Sequence, residues 1–312
     1  MTHSDQPRYV SRADFSAPVD WLNLTEALKA GHRLPKAKVE DVFLGEPGSS
    51  LLSRSAWIEG LGYGVKSVTV FAQNPVQGLP SVQGAMLLFD HSQGGLRAVI
   101  DSGLVTDLKT AADSALGARY LARPDSETLL VLGAGAVAGN VISAYSQLFP
   151  SLRQVLIWNR THSKAEALAQ TFESAQVNVQ AIKDLPEAAS HSDIIVTATM
   201  SSTPVLMGEW VQPGTHVDLI GAFRAEMREA DDALLQKGRI FVDSRDTTIH
   251  HIGELMIPIS AGVISEADIL SDFYDFAAGH AGRTSEQEIT IFKNGGGAHL
   301  DVMTADAILG AI

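Results

Sequence analysis

"TLLVLGAGAVAGNVISAYSQL", Thr128–Leu148, decides the fold. It runs from an apolar strand through a glycine turn into a helix. Gly133-Ala134-Gly135-Ala136-Val137-Ala138 fits the G-x-G-x-x-A pattern of a dinucleotide-binding βα turn. Alone the pattern is weak, because a small-residue turn that merely packs tightly reads the same. Its position after a strand (Leu129–Leu132) and before a helix gives it the required setting. Gly133 allows the tight turn, Gly135 lets a pyrophosphate approach the backbone, and Ala138 lets helix and strand pack closely. The helix start, with Ala136 and Val137, supplies N–H groups and partial positive charge to the phosphates.

Downstream of this unit the chain alternates. "QVLIWNR" (154–160), "DIIVTATM" (193–200), "HVDLIGA" (216–222) and "RIFVDS" (239–244) read as buried strands, and "SKAEALAQTFES" (163–174) as a helix. Strands this continuously apolar belong to a parallel sheet covered on both faces. Upstream, Arg123-Pro124-Asp125 breaks the pattern. Before it, "WLNLTEALKAG" (21–31) has helical spacing and a terminal glycine. "GVKSVTVF" (64–71), "QGAMLLFD" (83–90) and "LRAVIDSG" (96–103) alternate like strands between turn-rich segments. "TDLKTAADSALGARYLA" (106–122) then reads as a helix with Thr106 as N-cap and Asp107 at its positive end. The closing "EITIFKNGGGAHLDVMTADAILGAI" (288–312) is a strand, a glycine-rich turn and a helix, expected to return to the first domain. The expected fold class is α/β: a Rossmann doubly wound parallel sheet over 122–294, plus a discontinuous α+β domain made of 1–121 and 295–312.

Composition narrows the function. A formal net charge of -13 repels a phosphate backbone, so nucleic acid is not an expected partner. With no cysteine, disulfides, thiolate nucleophiles and Cys-based zinc sites drop out. The amino-terminal "MTHSDQPRYVSRADFSAPVD" has no apolar run suited to a signal peptide. Nor does any stretch reach the roughly 18 uninterrupted apolar residues of a membrane helix. A cytoplasmic protein without a membrane partner is the expectation.

Asn159-Arg160-Thr161 lies about 20 residues past the glycine turn, where an NAD-binding protein places an acid for the ribose hydroxyls. A carboxylate there would repel the 2′-phosphate of NADP. Arg160 does the reverse, since its planar fork holds a phosphate by paired charge-assisted bonds. Asn159 and Thr161 add neutral donors, and Lys164 adds charge. The alternative is a solvated loop arginine. NADP(H) is favoured, with NAD(H) possible.

Taken together, "GVKSV", "GLPSVQGAMLLFD", "VTDLKTAADSALGARYLAR", "VLGAGAVA", "IWNRT", "GEWVQPGTHVDLIGAFRAEMREADD", "FVDS" and "EITIFKNGGGAHLD" resemble the ornithine cyclodeaminase/mu-crystallin family over nearly the whole chain. The resemblance implies a homodimer whose discontinuous domain serves substrate binding and dimerisation. It also implies hydride exchange between a nicotinamide and the carbon bearing an amino acid's nitrogen. "WNRT" resembles the NADPH-using mu-crystallin branch.

By the same resemblance, Lys66 takes the position of the active-site lysine, able to orient a carboxylate and exchange a proton if burial lowers its pKa. The alternative is a lysine on the polar face of a strand. Lys109-Thr110 matches a motif that is usually Arg-Thr; read in the first helical turn, it should meet a carboxylate or the pyrophosphate. Lysine cannot copy a bidentate guanidinium. A further family arginine falls near Lys38. Phe223 stands where cyclodeaminases and alanine dehydrogenases of the family carry an aspartate. It cannot relay a proton, so it points to reduction of a preformed cyclic imine; the alternative is core packing.

Gln83 is expected to face substrate. Thr199, Met200 and Gly221 close strands at the cofactor crevice, and Asn294 with Gly295 is read as opening the last helix near the nicotinamide amide. His250-His251 lacks metal-ligand spacing, and no metal is expected. "AEMREADD" (225–232) reads as a helix start and solvated face. The leading expectation is an NADP-dependent oxidoreductase acting on a cyclic ketimine amino acid, 1-pyrroline-2-carboxylate or piperideine-2-carboxylate in type. The alternatives are an NAD-dependent ornithine cyclodeaminase and a non-catalytic NADPH-dependent ligand-binding protein.

Overall fold

The computed structural model describes residues 6–15, 18–46, 48–172 and 177–312. Residues 1–5 and 16–17 of the polar amino-terminal stretch lie outside these, as do Glu173 and Ser174 at the end of the helix read over 163–174. The chain falls into two compact units, residues 1–109 with 297–312 and residues 110–296.

In the first unit β1 (Arg8–Val10), β2 (Lys38–Glu46), β3 (Ser49–Ile58), β4 (Gly62–Phe71), β5 (Val82–Phe89) and β6 (Leu96–Asp101) form a sheet in the order β1-β6-β5-β4-β3-β2. Neighbours from β2 to β6 pair antiparallel, and β1 pairs parallel with β6. The β2–β3 hairpin had no sequence signal. The apolar Val42, Phe43 and Leu44 of β2 are consecutive and each more than half exposed, so no period-two alternation marks the strand.

Helix α1 (Trp21–Gly31) follows its spacing: Trp21, Leu24 and Leu28 are buried, and Asp20 caps it by accepting from the Asn23 N–H at 3.0 Å. The final helix α10 (Ala298–Ala311) packs against α1 and against β3, β4 and β5. Helix α2 (Ser102–Leu121) starts a turn before Thr106. Asp101 Oδ1 accepts from the Leu104 N–H at 2.8 Å, so the cap is Asp101. Thr106, Asp107 and Lys109 therefore lie beyond the first turn, which corrects the expected placement of Lys109 at the positive end of the helix dipole.

The second unit is an eight-stranded parallel sheet. Its strands are β7 (Thr128–Leu132), β8 (Gln154–Trp158), β9 (Asn178–Ala181), β10 (Ile194–Thr197), β11 (His216–Leu219), β12 (Arg239–Val242), β13 (Ile269–Ser271) and β14 (Thr290–Lys293). Their order is β13-β12-β14-β11-β10-β7-β8-β9. Connecting helices are α3 (Ala136–Leu148), α4 (His162–Gln170), α5 (Leu185–Ser190), α6 (Asp232–Lys237), α7 (Arg245–Thr248), α8 (Gly253–Ser260) and α9 (Phe273–Ala277). Strands β10, β11 and β14 are buried at every position, as a sheet covered on both faces requires. The fold class is the expected Rossmann-type α/β. Among the described residues no helix is long and apolar enough to cross a membrane.

Candidate functional site

The sheet order reverses between β7 and β10, which is where a doubly wound sheet opens a ligand crevice at its carboxyl edge. A cavity of about 370 Å³ lies there. Its walls are Gly133–Gly135, Trp158–Thr161 with Lys164, and Ala198–Ser201 with Val205. The structure thus brings Gly133, Gly135, Asn159, Arg160, Thr161, Lys164, Thr199 and Met200 to one cleft.

Gly133 has φ 119° and donates its N–H to Trp158 O at 2.8 Å, tying the glycine turn to β8. A Cβ at Gly133 would overlap the Ala198 carbonyl, and its positive φ disfavours any side chain. Gly135 is the N-cap of α3 and a Cβ there would meet only open space, so the turn is free on the side from which a phosphate would come. Ala136 is exposed and Val137 half-buried at the helix start, whereas Ala138 is fully buried against the sheet. Asn159 Nδ2 donates to Thr161 O at 2.9 Å and fixes the turn that carries Arg160. Arg160, Thr161 and Lys164 are exposed, and no carboxylate among the described residues pairs with Arg160 or Lys164. These features fit a dinucleotide.

Behind the crevice lies a group the sequence reading missed. Within "AEMREADD", Asp231 and Asp232 do start a helix: Asp231 Oδ1 accepts from the Leu234 N–H at 2.9 Å and caps α6. Glu229, expected on a solvated face, is fully buried instead. Its oxygens accept from Thr199 N and Oγ1 at 2.7 Å, from Thr197 Oγ1 at 2.7 Å and from Gly221 N at 2.6 Å. One carboxylate therefore clasps the ends of β10 and β11, and with them Thr199 and Gly221. Glu254, also fully buried, accepts from the Glu229 and Ala230 N–H groups at 2.7 and 3.0 Å. Burial, and then the charge of Glu229, push its pKa up to about 7. The counter-charge is Lys293, fully buried, whose Nζ donates to the carbonyls of Leu219 and Asn294 at 2.7 Å. Burial lowers the Lys293 pKa, opposed by Glu254, Glu229, Asp243 and Asp218.

Met200 is 71% exposed at the cleft rim. Phe223 is 53% exposed with the Arg224 guanidinium 5.1 Å over its ring, so it is not a core residue. Asn294 Nδ2 donates to Thr110 O at 3.1 Å and Ser114 Oγ at 2.9 Å. The last helix begins at Ala298, not at Asn294 or Gly295.

In the first unit Lys66 is buried, and its Nζ donates to Asp301 Oδ1 at 2.7 Å and Thr106 Oγ1 at 3.2 Å. It is not on a solvated strand face, because α10 covers that face and brings Asp301 to it. Burial lowers the Lys66 pKa, Asp301 opposes the shift, and Lys109 and Arg54 add to it. Asp301 Oδ2 has no hydrogen-bond partner among the described residues. Lys109 is as buried as Lys66, at 6% exposure, and its ammonium has no partner among the described residues. Gln83, on β5, has an exposed side chain. Lys38 lies over the Trp57 ring, 5.0 Å from its centre, and is not opposite Lys66. Asp301 escaped the sequence reading because an acid on an amphipathic helix reads as solvent-facing until its partner is known.

His250 is exposed, 3.8 Å from Glu266. Among the described residues no group of His, Cys, Asp and Glu is placed to hold a metal ion.

The model of the Ornithine cyclodeaminase/mu-crystallin family matches residues 55–311, and the chain belongs to that family. Within it, the chain is 53% identical over 306 residues to the Delta(1)-pyrroline-2-carboxylate reductase of Paracoccus denitrificans, covering 98% of this chain and 97% of that one. Among solved structures it is similar to the Thermococcus litoralis Delta(1)-pyrroline-2-carboxylate reductase in complex with NADH and L-proline. The TM-score is 0.89, with 27% identity over 98% of each chain. An archaeal alanine dehydrogenase dimer with bound NAD also gives a TM-score of 0.89, with 29% identity over 98% of this chain and 97% of the other.

Proposed function

We propose that this protein is an NADPH-dependent reductase of cyclic ketimine amino acids, of the 1-pyrroline-2-carboxylate or piperideine-2-carboxylate type. The observation that carries this reading is Lys109, a buried ammonium with no partner among the described residues, on the unit that also buries Lys66. An unmatched buried cation is costly until an anion completes it, and an α-carboxylate does so. Support for the reaction comes from the reductases to which the chain is similar and from Phe223, which has no proton to exchange.

When bound, NADPH supplies hydride to the imine carbon, and the imine nitrogen needs one proton to give the cyclic amine. Lys66 orients the carboxylate, and burial eases loss of its proton; Asp301 holds its Nζ in place. Water is the other proton source. Gly133, Gly135, Ala136 and Val137 receive the pyrophosphate, with Thr110, Thr199, Met200, Gly221 and Asn294 toward the nicotinamide. Asn159, Arg160, Thr161 and Lys164 receive the 2′-phosphate. We read residues 122–294 as the dinucleotide-binding domain, and 1–121 with 295–312 as the substrate and dimerisation domain. Gln83, Lys66 and Lys109 are its substrate contacts.

Arg160→Asp tests the cofactor assignment. Losing a bidentate charged contact and gaining a repulsive charge is expected to raise the KM for NADPH by about 10–100-fold. The KM for NADH should hold or fall. An unchanged NADPH KM contradicts the 2′-phosphate role. A homodimer is the proposed assembly, supported by Val42, Phe43 and Leu44 exposed along β2. Light scattering should give twice the 33.2 kDa chain mass; the mass of a single chain contradicts it.

A further inference from the structure

The buried carboxylate of Glu229 stands one side chain behind the wall of the crevice. Thr199 lines that wall, and its N–H and hydroxyl both donate to Glu229 Oε1 at 2.7 Å. Thr197 Oγ1 and the Gly221 N–H donate to Oε2 at 2.7 and 2.6 Å. This approach requires a glycine, since a Cβ at Gly221 would overlap Glu229 Oε1 and the Thr199 backbone. Both donors of Thr199 are spent on Glu229, so the residue offers the crevice only oxygen lone pairs. Such a surface is wrong for a phosphate and suits the sugar and nicotinamide end of a dinucleotide.

No cation among the described residues forms an ion pair with Glu229. Lys293, the cation of the cluster, spends its hydrogen bonds on the carbonyls of Leu219, Ile220 and Asn294. The charge of Glu229 is felt by its neighbours. Burial is the main cause that raises the Glu254 and Asp218 pKa values to about 7, and Glu229 adds to both. A charge in a low-dielectric interior also acts over a longer range than one in water.

We propose that Glu229 is a positioning residue that sets the redox balance of the bound cofactor: its carboxylate, held against Thr199 and Gly221, favours the cationic oxidised nicotinamide over the neutral reduced one. This role rests on the reading of Thr199 and Gly221 as facing the nicotinamide. Hydride leaves C4 of the dihydronicotinamide with its electron pair and bonds to the imine carbon. The imine is reduced and takes a proton at nitrogen; the nicotinamide ring is oxidised and left with a positive charge. A fixed anion behind the crevice wall stabilises that charge as it develops.

The test is calorimetric titration of the full chain with NADPH and with NADP+, alongside turnover of 1-pyrroline-2-carboxylate. Glu229→Gln keeps the shape of the side chain and removes its charge. It should weaken NADP+ relative to NADPH by about tenfold, the scale of one charged contact, and Glu229→Asp should keep most of the unaltered ratio. The NAD+ and NADH pair should shift alike, so the role does not depend on the 2′-phosphate. A second measurement needs no variant. Between pH 6 and pH 8 Glu254 and Asp218 gain negative charge, Asp243 is shifted the same way by burial, and Lys293 can only lose charge. The unaltered protein should therefore gain affinity for NADP+ relative to NADPH by about 3–10-fold over this range. The 2′-phosphate is common to both forms and cancels. Equal losses of both forms in Glu229→Gln would make the residue a clasp only and overturn the proposal. So would a ratio that does not move with pH in the unaltered protein, which decides alone if the variant is too unstable to titrate. Shifted ratios without imine reduction instead overturn the proposed reaction and leave the role of Glu229 standing.

Discussion

Lys66→Met is expected to lower kcat/KM for 1-pyrroline-2-carboxylate by about 10³-fold or more, combining a lost charged contact with a lost proton donor. The variant should also lose stability. The Asp301 side chain is 1% exposed, and Lys66 is its recorded ion-pair partner. Removing one member of a buried pair leaves the other charge uncompensated, which costs about 3–5 kcal/mol. The two effects can be separated with Lys66→Met/Asp301→Leu. An apolar pair of similar volume should restore most of the stability in urea, because the penalty lies in the orphaned charge and not in the lost attraction. Activity should stay lost. A double variant that regains both would make Lys66 a structural residue only, and a single variant within tenfold of the unaltered protein would remove it from the site.

The largest loss of stability is expected from Lys293→Met. The change removes the donor to the Leu219 and Asn294 carbonyls and the cation facing Glu254, Glu229, Asp243 and Asp218. The cost should reach at least about 3–5 kcal/mol, the scale for an unpaired buried charge. It should also depend on pH in a definite sense. Glu254 already titrates at about 7 in the folded protein against 4.5 when unperturbed. Between those values the folded chain holds a proton the unfolded chain has released, so stability falls as pH rises through the window. Without Lys293 the folded pKa moves higher still and the window widens. Urea unfolding should therefore show a larger deficit at pH 8 than at pH 6. A deficit that shrinks as pH rises would mean that Lys293 does not balance these carboxylates.

The parallel sheet was legible because its central strands show no alternation, as Ile194, Ile195 and Val196 of β10 do in one unbroken apolar run. The glycine turn was legible because backbone sterics leave few residue types that fit Gly133. Helix α1 declared itself by spacing and its terminal glycine. The rest depends on partners far away in sequence. Glu229 looked like one more acid in an acidic run, and only folding sets the Thr199 and Gly221 N–H groups against it. Asp301 and Lys66 are separated by most of the chain, so neither announces the other. Arg54 and Lys38 show the same limit for strands: register decides which cation stands beside Lys66, and β2 gave no alternation from which to read it. The start of α2 was displaced because Asp101, outside the apolar pattern, caps it.

The most direct test of the proposed reaction is the absorbance of NADPH when the purified protein meets 1-pyrroline-2-carboxylate, with the cyclic amino acid product quantified. NADPH loss matched mole for mole by proline, with slower turnover on NADH and no ammonia from ornithine, is the predicted result. Ammonia release from ornithine, or cofactor binding without oxidation of NADPH, would contradict it.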